Sequence, residues 1–95
     1  MSLKGMDLYF EMENKDTLVD FLLANGYDDF YFFRCSHYGA GAFLISPEEQ
    51  VSARREFGLF RLFVKNEEIL SLASSIKHEL KEKTLKIFSY EVNEI

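Results

Sequence analysis

Glu56-Phe-Gly-Leu-Phe-Arg-Leu-Phe-Val-Lys65 decides the reading of this chain. In an extended strand alternate side chains point to opposite faces. Phe57, Leu59 and Phe63 then share one face with Arg61, and Phe60, Leu62 and Val64 share the other. Both faces are apolar. The stretch Asp29-Phe-Tyr-Phe-Phe-Arg-Cys-Ser36 repeats the pattern, with Phe30, Phe32 and Arg34 opposed to Tyr31, Phe33 and Cys35. An antiparallel strand with one wet face alternates to polar residues. These two strands need cover on both sides.

Outward from them the elements fall into order. Leu8, Phe10 and Met12 alternate with Tyr9, Glu11 and Glu13, which predicts a first strand over residues 6–13. Asn14 fits an N-cap, and Asp16 suits the positive end of a helix dipole. Leu18, Phe21 and Leu22 mark one helical face, and Gly26 suits a left-handed closing residue, so a helix is expected from Lys15 to Asn25. After the third strand, Asn66 reads as a cap. Ile69, Leu72, Ala73, Ile76 and Leu80 form an apolar stripe, with Glu67 and Glu68 at its start and Lys77, His78 and Lys81 toward its end. A last strand is expected over Thr84 to Val92, with Leu85 and Ile87 opposed to Phe88, Tyr90 and Val92.

The segment from His37 to Gln50 is irregular. Gly39 and Gly41 permit unusual backbone angles. Ser46-Pro47-Glu48-Glu49 has the spacing of a capping box with proline at the first helical position, which predicts a short helical turn ending near Arg54. The order β-α-β-β-α-β predicts an α+β, ferredoxin-like sandwich, a four-stranded antiparallel sheet with both helices on one face. Residues 1–5 read as a leader or expression scar, and residues 6–95 as the single domain.

Two helices cover one face of such a sheet. The second face is then a large apolar patch, which calls for a partner surface. The simplest partner is another copy of the chain, because most soluble oligomers are symmetric homo-oligomers.

Composition narrows the function. The chain has 95 residues and a net charge of −5, and lacks the cationic footprint of a general nucleic-acid binder. Its single cysteine, Cys35, leaves no intrachain disulfide to mark an oxidising compartment. No apolar run suggests a membrane span, and a cytoplasmic protein is expected.

Cys35 and His37 supply two soft donors one residue apart, a pair that suits Zn or Cu, and Glu48 and Glu49 offer oxygen ligands. Equally, Cys35 reads as a small buried apolar residue and His37 as a surface histidine. Arg54, Arg55 and Arg61 suit an anionic ligand or, alternatively, ion pairs with the chain's many acidic residues. None of H-E-x-x-H, G-x-S-x-G, the P-loop or the dinucleotide fingerprint occurs. Acylphosphatases share this topology but need an Arg-bearing phosphate cradle after the first strand, where this chain has Met12-Glu-Asn-Lys15. A protein that binds rather than catalyses is expected.

Several segments carry a resemblance: Thr17-Leu-Val-Asp-Phe-Leu-Leu23; the Phe-rich strand ending in Ser36-His-Tyr-Gly39; Ser46-Pro-Glu-Glu-Gln-Val51 followed by Arg54 and Arg55; and the end from Lys86-Ile-Phe88 through Ile95. By these the chain resembles the PII/CutA superfamily of signal proteins. It is most similar to the PII-like family of uncharacterised proteins often found beside bacterial heavy-metal efflux systems. The resemblance implies a homotrimer with the sheets inward and the helices outside. It implies that residues 37–50 correspond to the PII T-loop, which reaches a protein partner and lies near inter-subunit ligand clefts. His37, Gly39, Glu49, Gln50, Arg54 and Arg55 are the candidate ligand-binding residues on that basis, and Cys35 and His37 the candidate metal ligands. A small ligand, or a divalent or soft metal ion, signalling to an efflux-system component is the implied role. A CutA-like metal-binding trimer and a purely structural oligomerisation domain are the alternatives. The chain departs from PII proteins before the last strand. There, Glu79-Leu-Lys-Glu-Lys-Thr84 has no glycine to let backbone amides approach a phosphate, which argues against ATP binding of the PII kind.

Overall fold

In the computed structural model, residues 2–38, 55–81 and 83–95 are described. Six elements follow in order: β1 (Leu3–Glu11), α1 (Lys15–Ala24), β2 (Phe30–His37), β3 (Arg55–Lys65), α2 (Ile69–Leu80) and β4 (Lys86–Glu91). The sheet order is β2-β3-β1-β4, with every neighbouring pair antiparallel. This is the ferredoxin-like arrangement expected from the element order.

The register explains the layers. Leu8 stands opposite Phe60 on β3 and Ile87 on β4, and Met6 stands opposite Leu62. Those side chains face the helices. Met6, Leu8, Phe10, Phe60, Leu62 and Val64 form one core cluster with Leu18 and Leu22 of α1 and Ile69, Leu72 and Ile76 of α2. Phe30 meets Phe60 edge-on, with ring centroids 5.1 Å apart, and the Lys15 ammonium lies over the Phe32 ring at 4.8 Å. Gly58 stands opposite Phe10, and its missing side chain is the space the Phe10 ring occupies.

Both helices are entered through a 3₁₀ turn, Met12–Asn14 before α1 and Asn66–Glu68 before α2. Asn14 holds the N-cap position of α1 without a side-chain cap bond. Asn66 begins the 3₁₀ turn before α2, not the α-helix, and its N–H donates to the Ser2 carbonyl at 3.0 Å. Gly26, at φ +86°, follows α1 as expected of a residue in the left-handed region. The Tyr27 hydroxyl donates to Glu68 Oε1 at 3.3 Å and links the end of α1 to the start of α2.

The first and last strands differ from the sequence expectation at both ends. The first strand starts at Leu3, where Leu3 pairs with Lys65 and Gly5 with Phe63 and Tyr90. Residues 3–5, set aside as leader, are therefore part of the sheet. Lys4 and Gly5 break the apolar alternation there, so the pattern hides a strand that backbone pairing shows. The same strand stops at Glu11, because Met12 and Glu13 turn into the 3₁₀ entry of α1. The last strand is shorter at both ends, Lys86–Glu91. The short helical turn expected near residues 46–54 lies outside the described residues.

Candidate functional site

The odd-numbered residues of β1, β2 and β3 and the even-numbered residues of β4 make up the sheet face away from the helices. Tyr31, Phe33, Phe63 and Phe88 on it are 58%, 46%, 45% and 52% exposed. Such a row of half-exposed aromatics is what the two-sided apolar pattern predicts.

At its centre lies a polar group that the sequence does not reveal. Asp7 stands opposite Arg61 and Phe88, and it is buried, with 6% of its surface exposed. Arg61 donates to it in a fork, Nε to Oδ1 and Nη2 to Oδ2, both at 3.0 Å. The Tyr90 hydroxyl donates to Oδ1 at 2.7 Å. Burial pushes the Asp7 carboxyl up. The hydrogen bonds from Arg61 and Tyr90 and the Arg61 charge outweigh it and hold the group below its ordinary value. Hydrogen bonding to Asp7 raises Arg61, while burial and then the bond to Asp7 raise Tyr90. Arg61 also lies over the Phe33 ring at 5.5 Å. Gly5 stands opposite Tyr90, and a Cβ there would fall against the Cε2 and Cζ atoms of its ring. The glycine lets the ring lie flat on the sheet and deliver its hydroxyl to Asp7.

A groove of about 480 Å³ opens at one end of this face, where β2 ends and β3 and β4 begin. Phe57, Phe88 and Tyr9 line it as apolar surface, with Cys35, His37, Lys83 and Lys86 around them. The His37 ring packs on Phe57 at 4.8 Å between centroids. Beside it, Glu11 Oε1 accepts from Arg55 Nη1 at 2.7 Å and Glu11 Oε2 accepts from Thr84 Oγ1 at 3.1 Å. One carboxylate thus joins the start of β3 to the segment leading into β4. A second groove, also about 480 Å³, lies at the other end, between Tyr31, Phe63, Leu3, Asp29 and Glu94.

Of the residues singled out by sequence, the structure brings Cys35 and His37 together on one groove, and Arg55 lies beside it opposite His37. Cys35 is a free, half-buried thiol. Arg55 and Arg61 both pair with carboxylates of the same chain, Glu11 and Asp7. His78 is exposed on α2, on the far side of the sheet. Gly39, Glu48, Glu49, Gln50 and Arg54 lie outside the described residues. Among the described residues no three of His, Cys, Asp and Glu gather as a metal site. Sequence reasoning missed Tyr9, Lys83, Lys86 and Phe88 as groove residues. The alternation of Phe88 with Ile87 marks their face, but only the β1–β4 register sets them beside Cys35.

No helix among the described residues is long and apolar enough to cross a membrane. No curated protein sequence matches the chain. Solved structures do. A DUF3240 family protein from Shewanella baltica OS155 superposes with a TM-score of 0.77 at 14% identity, over 100% of this chain and 94% of that one. Arabidopsis thaliana PII bound to citrate gives 0.74 at 14% identity, over 97% of this chain and 78% of that one. The PII-like protein CPII from Thiomonas intermedia K12, bound to ADP, AMP and bicarbonate, gives 0.73 at 14% identity, over 97% and 91%. These likenesses establish a PII-like fold. The family described as "Protein of unknown function (DUF3240)" matches residues 1–95, so the chain belongs to the DUF3240 family.

Proposed function

We propose that this chain is a PII-like regulatory protein that forms a homotrimer, binds a small ligand or metal ion near the 36–55 segment and passes that state to a protein partner. The observation that carries the reading is the open sheet face, with Tyr31, Phe33, Phe63 and Phe88 half-exposed around the ion pair of half-exposed Arg61 with buried Asp7. Exposed apolar area of this kind is a liability in a monomer and a contact surface in an assembly. A ring with sheets inward and helices outward buries it.

The ligand reading rests on place. Ser36 and His37 on one side and Arg55 on the other are the roots of the segment between β2 and β3, and the groove with Cys35 lies beside them. A ligand there would touch the ends of both strands that flank that segment, a position from which a ligand-driven two-state change can be passed to a partner. The structurally similar PII proteins are bound to citrate in one case and to ADP, AMP and bicarbonate in the other. The role is binding, not catalysis, in the cytoplasm. By the family resemblance the signal belongs to heavy-metal homeostasis, with an efflux-system component as the partner. Cys35 and His37 on one groove favour a second reading, a CutA-like metal-binding trimer.

Light scattering combined with thermal shift tests both. The expected mass is that of three chains. A ligand that binds the folded state raises Tm with dose. Nucleotides are expected to give no shift, since residues 79–84 hold no glycine, and a shift with ATP overturns that argument. Zn or Cu shifts that vanish in Cys35→Ser/His37→Ala support the metal reading. A monomeric mass at high concentration removes the ring.

A further inference from the structure

The open face is polarised along its strands. At one end, Lys83 and Lys86 line the groove over Phe57 and Phe88, with His37 beside them. The nearby Arg55 is matched by Glu11. At the other end, Asp29 and Glu94 line the groove over Tyr31 and Phe63. Lys65 closes β3 there and is outnumbered by the two carboxylates. Between the ends the charges of Asp7 and Arg61 cancel. Along β1 the grooves are marked by Leu3 and Tyr9. At about 3.4 Å per residue that spacing is roughly 20 Å. This exceeds twice the screening length of about 8 Å at physiological salt, so the two ends do not neutralise each other within one chain.

Each groove has an aromatic floor and a charged rim, and the rims have opposite sign. A floor of Tyr31 and Phe63 beside two carboxylates suits a lysine ammonium, which gains from ring faces as well as from negative charge. Contacts that bring like ends together set lysine on lysine and carboxylate on carboxylate. Such pairings are how interfaces reject wrong geometries.

We propose that neighbouring copies of this chain dock end to opposite end, with the Lys83–Lys86 groove of one against the Asp29–Glu94 groove of the next. The claim rests on the assembly proposed above and adds its orientation and its charged contacts. The occupant of each groove is then a second copy.

Charge reversal tests it. All four residues are exposed in the single chain, so the variants retain their packing. Lys83→Glu/Lys86→Glu and Asp29→Lys/Glu94→Lys are each expected to raise the concentration for half-dissociation by about tenfold or more, read by light scattering on dilution at low salt. The fourfold variant restores complementarity with the signs exchanged and is expected to return to within about threefold of the unmodified chain. Circular dichroism confirms folding throughout. Double variants that assemble like the unmodified chain, or a folded fourfold variant that stays dissociated, overturn the orientation while leaving the ring standing. An unmodified chain that is monomeric at every concentration removes the ring itself, and this proposal with it.

Discussion

Gly5→Ala is expected to be one of the two most damaging single-methyl changes in the sheet, with Gly58→Ala. The added Cβ meets the Cε2, Cζ and Cδ2 atoms of Tyr90, which lies directly opposite Gly5 in the β1–β4 ladder. The ring is held by its hydroxyl, 2.7 Å from Asp7 Oδ1. Either the ring stays and the overlap costs about 1–3 kcal/mol, or it swings away and forfeits a hydrogen bond to a charged acceptor worth about 1.5–3 kcal/mol. A partial version of both is expected. Replacing glycine in a strand returns about 0.5–1 kcal/mol. The net loss is about 1.5 kcal/mol, a sizeable part of the stability of a domain this size. At a slope of about 1.5 kcal/mol per molar urea, the midpoint falls by about 1 M. The decisive measurement is a double-mutant cycle with Tyr90→Ala at one fixed protein concentration. In the Tyr90→Ala background, Gly5→Ala should cost less than about 0.5 kcal/mol or gain slightly. An equal cost in both backgrounds would refute the claim that the glycine exists to seat the tyrosine.

Other expectations follow from the same geometry. Asp7 is held below its ordinary value of 3.8 in the folded chain, so its contribution is present above that value and lost as pH falls through the lowered one. Urea midpoints taken between pH 6 and about pH 2 should therefore fall on the acid side, and Asp7→Asn should flatten that part of the profile while lowering stability at neutral pH. Lys81 closes α2 in the left-handed region at φ 54°, a conformation costly to a side-chain-bearing residue. Lys81→Gly should stabilise by about 0.5–1 kcal/mol and raise Tm by several degrees in a scan, whereas a fall would show that the lysine side chain holds that turn. Phe33→Asp places a charge amid the half-exposed aromatics of the open face. It should leave the circular dichroism spectrum intact while reducing the light-scattering mass to one chain. Retention of the assembled mass would point away from this face as the interface.

Most of the layering was legible from alternation. The split of Phe57, Leu59 and Phe63 from Phe60, Leu62 and Val64 holds residue by residue, as does the α2 stripe of Ile69, Leu72 and Ile76 in the core. Local pattern suffices for such features because burial follows the period of each element. What depends on register was not legible. The Asp7–Arg61–Tyr90 group joins three strands, and nothing near Asp7 in sequence distinguishes it from an ordinary surface aspartate until β3 and β4 are set against β1. Leu3 to Gly5 escaped for a related reason: a glycine and a lysine there carry no apolar signal, and Gly5 is present because of a ring 85 positions away in the chain. Of the candidate site, the adjacency of Cys35 and His37 was legible, being a matter of two residues on one strand. The lysines and aromatics across from them were not.

The sheet order β2-β3-β1-β4 places the earliest strand in an interior position, flanked by strands that come far later. Lys4 must find Glu91, and Leu3 must find Lys65. On the ribosome β1 therefore has no ladder to join until most of the chain has emerged. Its aromatic and aliphatic side chains must wait, exposed to other chains and to chaperones. High contact order of this kind sets folding times toward milliseconds to seconds, and makes the last strand, not the first, the step that completes the sheet.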